Sequence, residues 1–79
     1  MKYGMYVFFD RVSGTYGEPF LAANEPVAVR RFQYVMQNAP MVAQDSQLYC
    51  VGSYDTDKGI VTANEKPVFV CNYVAEAKE

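Results

Sequence analysis

Few residues of this 79-residue chain could carry out chemistry, and their types exclude most catalytic arrangements. The chain has no histidine, so it cannot form Ser-His-Asp or Cys-His nucleophile arrangements or most zinc sites. Cys50 and Cys71 lie in apolar runs without a CxxC spacing, which favours buried, reduced thiols over a metal site. Asp55 and Asp57 flank a turn, where carboxylates usually accept bonds from their own backbone amides. The sequence therefore predicts a protein that is not an enzyme and uses no metal or cofactor.

Arg30 and Arg31 are the one pair of adjacent basic residues, and they are candidates for contact with an anionic partner. Neighbouring residues on a helix point about 100° apart, so the two arginines do not form a single clamp. The alternative interpretation is a solvated helix flank whose side-chain stems pack on the edge of the sheet. If DNA is bound, we expect these two arginines to contact it together with Lys2 and Lys66.

The overall composition argues against a dedicated nucleic-acid binder. Seven Lys and Arg residues stand against nine Asp and Glu residues, giving a formal net charge of −2, whereas non-specific nucleic-acid affinity comes largely from neutralised phosphates. Hydrophobic residues make up 51% and charged residues 20%, which is typical of a globular protein. The length allows one domain, residues 1–79, and the longest apolar run is too short to span a membrane. Because no signal peptide is visible, we expect a reducing, cytoplasmic environment.

The hydrophobic pattern predicts an α+β fold in the order β-α-β-β-β, with a mainly antiparallel sheet and one helix packed on one face. The predicted strands cover residues 2–10, 47–54, 60–63 and 66–74. A turn at residues 55–59 joins the second strand to the third as a hairpin. Residues 11–23 contain two glycines and a proline and are predicted to be irregular, with an extended segment beside the sheet near Phe20 as an alternative. Residues 75–79 are expected to fray.

The predicted helix covers residues 24–38. Asn24 is a suitable N-cap, and Glu25 and Pro26 are typical of a first helical turn. Apolar residues then recur at helical spacing and form one stripe: Ala28, Phe32, Val35, Met36 and Ala39. This stripe is expected to pack on the sheet.

The predicted sheet has a second apolar face that no element of the chain covers. The odd-numbered residues of the first strand are uniformly apolar, so we assign them to the core under the helix. Because large exposed apolar patches usually mark a partner surface, the opposite face is predicted to be a homodimer interface. Its residues are Tyr6, Phe8, Tyr49, Val51, Val68 and Val70.

Two occupants of this second face compete. One is a second copy of the chain, which stacks sheet on sheet or pairs strand edges. The other is a run of nucleotide bases stacked on aromatic side chains. Valines do not stack on bases. The cations on this face are Lys2 and Lys66, and both lie at strand ends, so the composition favours the homodimer.

Two segments of the sequence resemble one protein family. The first is the start of the helix, with Pro19-Phe20, Asn24 and the run VAVRRF at residues 27–32. The second is the hairpin, with Asp45, Leu48-Tyr49, the run VGSYD at residues 51–55, and Gly59-Ile60. Together they resemble the small non-structural protein of gokushovirus-type microviruses, which are tailless icosahedral phages with single-stranded DNA. The resemblance covers about residues 1–70; Ser53 stands where the family is expected to carry an acidic residue, and the tail after Val70 has no counterpart.

The resemblance implies a non-capsid phage protein in the cytoplasm of the host bacterium. Such a protein assists viral DNA replication, or the switch to single-stranded DNA synthesis and packaging, and binds single-stranded or replicative-form DNA. Among the residues that match the family, Phe32 is explained as core, and Gly52, Asp55 and Gly59 are explained as turn residues. Arg30, with Arg31 beside it, remains as the candidate DNA contact. The competing function is an adaptor that binds the phage replication initiator or the procapsid without touching DNA, and the acidic net charge favours it.

Overall fold

The sheet is built around a long first strand, β1 (Lys2–Asp10), in a computed structural model that describes residues 1–75. The other elements are β2 (Thr15–Tyr16), β3 (Phe20–Ala22), α1 (Glu25–Gln37), α2 (Pro40–Ala43), β4 (Ser46–Asp55) and β5 (Ile60–Asn72). All strand pairs are antiparallel, in the order β2-β1-β4-β5, and β3 also pairs with β1. The predicted α+β fold, with one main helix on an antiparallel sheet, is confirmed. Fraying was predicted for residues 75–79, and residues 76–79 lie outside the part of the chain that the structure describes.

The two strands predicted after the hairpin turn form one strand, β5. Pairing with β4 stops at a bulge of residues 64–67 and then resumes. Pro67 lies in this bulge, where its missing N–H costs no ladder hydrogen bond. The side-chain amide of Asn64 donates to the backbone carbonyl of Cys50 at 3.0 Å, so this carbonyl is satisfied where the regular ladder is interrupted. The bulge thus explains why the sequence pattern divides one strand into two.

The segment predicted to be irregular, residues 11–23, contributes two short strands to the outer edge of β1. Gly14 has a φ of 71° in the turn that leads from β1 to β2, a conformation that favours glycine. In β3, Phe20 pairs with Tyr6 and Ala22 pairs with Gly4. The extended alternative for the Phe20 region is therefore the one that the structure adopts.

Helix α1 follows Asn24, whose Oδ1 accepts a hydrogen bond from the backbone N–H of Val27 at 3.0 Å. Pro26 lies in the first turn, where no helical partner for its nitrogen is needed. The predicted stripe faces the sheet, with Ala28, Phe32 and Met36 buried. The short helix α2, which packs Ala43 into the same core, was not predicted.

We expect Asn24→Ala to lower the free energy of unfolding by about 1 kcal/mol, because the substitution leaves the Val27 N–H without its cap. Urea denaturation followed by circular dichroism measures this change. Gln37→Ala, at the exposed last residue of the same helix, is the matched control and should change stability by less than about 0.5 kcal/mol. Equal losses in the two variants would contradict a capping role for Asn24.

The core under α1 contains the even-numbered residues of β1, so the face that we assigned to the helix from the sequence is wrong. Tyr6 is 6% exposed, and the Phe8 ring lies 5.3 Å from the Phe32 ring. Leu48 of β4 is fully buried in the same cluster. Burial raises the pKa of the Tyr6 hydroxyl, with smaller contributions from the charges of Cys50 and Glu25, and the hydroxyl is neutral at pH 7. Both faces of β1 are apolar, so alternation alone does not distinguish them.

Candidate interaction surface

The sheet face opposite α1 is not covered by any of the described elements, and we call it the open face. The molecule measures 45 × 29 × 16 Å, and the shortest dimension holds one sheet and one helix of about 10 Å diameter without a third layer. Strand register places six aromatic residues on this face: Tyr3, Phe9, Tyr16, Tyr49, Tyr54 and Phe69. The other residues on it are Met5, Val7, Leu21, Gln47, Gly52, Val61, Ala63 and Asn72.

Four of these rings, one each from β2, β1, β4 and β5, are in continuous contact, and we call them the aromatic row. Its ring centroids are separated by 4.5 Å from Tyr16 to Phe9, 5.6 Å from Phe9 to Tyr49, and 5.7 Å from Tyr49 to Phe69. The last two pairs are edge-to-face, an arrangement that the ring quadrupole favours. Tyr16 and Phe69 are 47% and 49% exposed. Two members of the aromatic row are therefore about half exposed to solvent.

None of the residues that strand pairing places on the open face carries a charge; Glu65 and Lys66 lie in the unpaired bulge of β5. Its polar side chains are amides and tyrosine hydroxyls: the Gln47 amide donates to Asn72 Oδ1 at 2.8 Å, and the Tyr49 hydroxyl donates to Gln47 Oε1 at 3.3 Å. Val7 lies opposite Tyr49 and is 4% exposed, so the face is filled by its own side chains at this point. The open face is thus apolar and aromatic, with a small amide border.

The structure places one of the six predicted interface residues, Tyr49, on the open face. Tyr6, Phe8 and Val70 instead pack against the core under α1, and Tyr6 and Phe8 are for that reason not available to a partner. Val51 has no partner on β1, because it lies where the register between β1 and β4 shifts by one residue. Val68 pairs with Cys50 and is half exposed. Sequence reasoning missed Phe9, Tyr16 and Phe69. The uniformly apolar odd-numbered positions of β1 could have revealed Phe9, once the helix is placed on the other side.

The predicted DNA contacts lie elsewhere. Arg30 and Arg31 are exposed on α1, on the opposite side of the sheet from the aromatic row. The Arg31 guanidinium lies 4.7 Å from the centroid of the Phe20 ring, a cation–π contact that orients it. Tyr34, one helical turn after Arg30, is 67% exposed and was not predicted as part of this surface. We call Arg30, Arg31 and Tyr34 the helix patch.

Lys2 and Lys66 lie on strands of the sheet and are not part of the helix patch on α1. Lys2 begins β1, and Lys66 lies in the bulge of β5. Within residues 1–75, two ion pairs form: the N-terminal amine pairs with Asp57, and Arg11 pairs with Asp45. The two lysines and the two arginines of the helix patch take no part in them. Among the described residues, these four cations therefore have no acidic partner.

The described residues offer no arrangement for metal chemistry. No three His, Cys, Asp or Glu side chains among them lie close enough together to hold a metal ion. Both cysteines are free thiols, and burial, with a smaller contribution from Glu25, raises the pKa of Cys71. A raised pKa keeps this thiol protonated at pH 7 and makes it a weak nucleophile. In the same part of the chain, no helix is long and apolar enough to cross a membrane.

Comparison with known proteins gives one match. A family model described as "Phage ORF5 protein" matches residues 3–76, which is nearly the whole chain. No curated protein and no solved structure matches the chain. The family description places the sequence among phage proteins without naming an activity.

Proposed function

Because the chain belongs to the phage ORF5 family, we propose that it is a non-structural phage protein that assists viral DNA replication, or the switch to single-stranded DNA synthesis and packaging. It acts in the cytoplasm of the host bacterium, as a homodimer that binds DNA weakly. The observation that supports DNA contact is the helix patch, where two exposed arginines without acidic partners among the described residues lie beside an exposed tyrosine.

The helix patch combines the two kinds of group that bind a single strand. Arginine guanidinium groups pair with phosphates through charge-assisted hydrogen bonds. The Tyr34 ring, one turn from Arg30, provides a surface on which a base can stack without regard to sequence. The contact of Arg31 with the Phe20 ring holds this cation in place before DNA arrives. The patch is small, so binding is weak and insensitive to sequence.

The number of cations limits the salt dependence of this binding. Two or three phosphate contacts per chain, in a dimer, neutralise about four to six phosphates, so log affinity falls with log salt at a slope of about −3 to −4 on single strands. Binding is therefore measurable at low salt and largely lost near physiological salt. The net charge of −2 further weakens binding, because it repels the negatively charged DNA.

We expect the double variant Arg30→Gln and Arg31→Gln to bind a labelled single-stranded oligonucleotide roughly tenfold or more weakly at low salt, because it removes the phosphate contacts. Both residues are exposed, so the fold is retained, with at most about 1 kcal/mol lost from the contact with Phe20. Fluorescence anisotropy measures the affinity. Lys58→Gln, in the exposed β4–β5 turn, is the control for loss of a cation outside the helix patch and should leave the affinity within about twofold.

Two results would contradict this site. Absence of oligonucleotide binding at low salt would remove the DNA function, and an unchanged affinity in the double arginine variant would remove the helix patch. A shallower salt slope in the double variant than in the wild-type protein supports the site, because it reports fewer released counterions.

A second candidate function is a protein–protein adaptor that binds the phage replication initiator or the procapsid without contacting DNA. The charge-free open face and the acidic net charge favour it, since both suit protein contacts better than phosphate contacts. In this case the protein does not bind DNA at any salt concentration, which the same anisotropy measurement determines.

A further inference from the structure

The open face has the composition of the centre of a protein–protein interface. Such centres are depleted in charged residues and enriched in tyrosine, phenylalanine and methionine. The open face carries six aromatic residues and Met5, and none of the residues that strand pairing places on it is charged. An exposed apolar surface of this kind on a small protein usually marks the binding site of a partner.

The same composition argues against single-stranded nucleic acid as the occupant. Proteins that stack bases combine their aromatic rings with cations that follow the phosphate backbone. The open face supplies no such cations from its strands. Its rings also meet at interplanar angles of 74° between Phe9 and Tyr49 and 76° between Tyr49 and Phe69, so successive rings do not share a common stacking plane.

The size and shape of the open face match a second copy of the chain. The two longer dimensions of the molecule, 45 and 29 Å, give an outline on the order of 1,000 Å², which leaves room for the ~800 Å² per partner of a typical stable interface. The radius of gyration is 13.2 Å, whereas about 12 Å is typical for a compact chain of this length. The molecule is therefore flat, with its apolar sheet on one side.

We propose that the open face packs against the open face of a second copy of this chain, related by a two-fold axis. This inference rests on the homodimer of the proposed function and names the surface that forms it. A two-fold interface brings the same patch together from both copies, and an uncharged patch does this without repulsion between like charges. The dimer has four layers, helix–sheet–sheet–helix, with the two sheets about 10 Å apart and their strands aligned within about 30°.

This arrangement has a consequence for DNA contact. Each α1 lies on the outer side of its own sheet, so the two helix patches face away from each other across the dimer. They do not form one continuous groove. Each patch therefore contacts a separate stretch of DNA. The salt slope of about −3 to −4 applies to a strand long enough to reach both patches, and a short oligonucleotide on one patch gives about half of that slope.

Sedimentation equilibrium of the full chain at tens of micromolar tests the proposal. The wild-type protein is expected at about twice the chain mass of 8.9 kDa. Phe69→Lys should sediment as a monomer, with at least a hundredfold weaker association, because it buries an unpaired ammonium in the interface. Phe69 is half exposed in the single chain, so the substitution is compatible with folding, which circular dichroism checks. Tyr34→Lys, on the helix patch, is the matched control and should remain dimeric.

A second variant keeps the test valid if Phe69→Lys fails to fold. Leu21→Lys, at the exposed β3 side of the open face, should also give a monomer. A wild-type monomer at these concentrations would overturn the proposal, as would a dimer that survives both substitutions. The proposal would also be overturned if Val68→Lys dissociated the dimer while Phe69→Lys and Leu21→Lys did not. Val68 lies on the other side of β5, so that result would indicate a dimer formed by pairing of strand edges.

The DNA-binding measurement separates failure of this inference from failure of the proposed function. A monomer that binds oligonucleotide through the helix patch leaves the DNA function standing and removes the dimer interface. A dimer that Phe69→Lys dissociates but that binds no DNA confirms the interface and removes the DNA function. A monomer whose oligonucleotide binding is lost in Phe69→Lys would make the open face a base-stacking site and overturn the proposal.

Discussion

Replacing Phe32 with alanine is expected to lower the free energy of unfolding by about 3–5 kcal/mol, the range for a fully buried phenylalanine. Phe32 is 0% exposed, and its ring packs edge-to-face against Phe8. The substitution removes the largest side chain that α1 places on the sheet and leaves a cavity between them. Since a chain of this length has a total stability of about 4–12 kcal/mol, the loss is a large fraction of the total, and the variant should unfold at a much lower urea concentration than the wild-type protein.

Urea denaturation at equilibrium measures the effect of Phe32→Ala. Tyr34→Ala, on the exposed side of the same helix, is the matched control and is expected to change stability by less than about 0.5 kcal/mol. The comparison holds the helix and the aromatic-to-alanine change constant while varying burial. If the two variants were equally stable, the burial of Phe32 between α1 and the sheet would be contradicted.

Gly52→Ala is expected to lower the free energy of unfolding by about 1–3 kcal/mol or more through overpacking. A Cβ atom at position 52 would overlap the backbone carbonyl oxygen of Thr62 and lie 3.1 Å from the Cα of Ala63. These are backbone atoms of the neighbouring strand, so the clash cannot be relieved by rotating a side chain. Strand β5 would have to move away from β4 next to its bulge.

Gly17→Ala is the matched control for Gly52→Ala. Its nearest neighbour is the Phe8 carbonyl oxygen at 3.6 Å, an ordinary contact, and loss of a glycine at such a site is expected to be neutral or to stabilise by about 0.4–1 kcal/mol. Denaturation gives both free energies, and hydrogen exchange locates the change. Faster exchange confined to β4 and β5 in Gly52→Ala is the expected pattern, whereas equal stability of the two variants would contradict close approach at Gly52.

Local chemistry in the sequence was sufficient for the fold class and the boundaries of α1 and the hairpin. The Asn24 cap, the proline in the first turn and the apolar stripe predict where α1 lies, because capping and helical period act over a few residues. Gly59, with a φ of 66°, marks the turn between β4 and β5 for the same reason. The exposure of Arg30 and Arg31 also followed from the stripe, since residues beside it face solvent.

The tertiary structure alone decided which face of the sheet α1 covers, and with it the identity of the open face. Both faces of β1 are apolar, so a period of two does not distinguish them. Extra residues at Val51 in β4 and at Val70 in β5 then shift the alternation, so a face cannot be followed along these strands by counting. The aromatic row joins residues from four strands, which only long-range pairing brings together. Tyr16 joins it from a segment whose local pattern predicts no strand, because β2 is stabilised by its pairing with β1 and not by its own sequence.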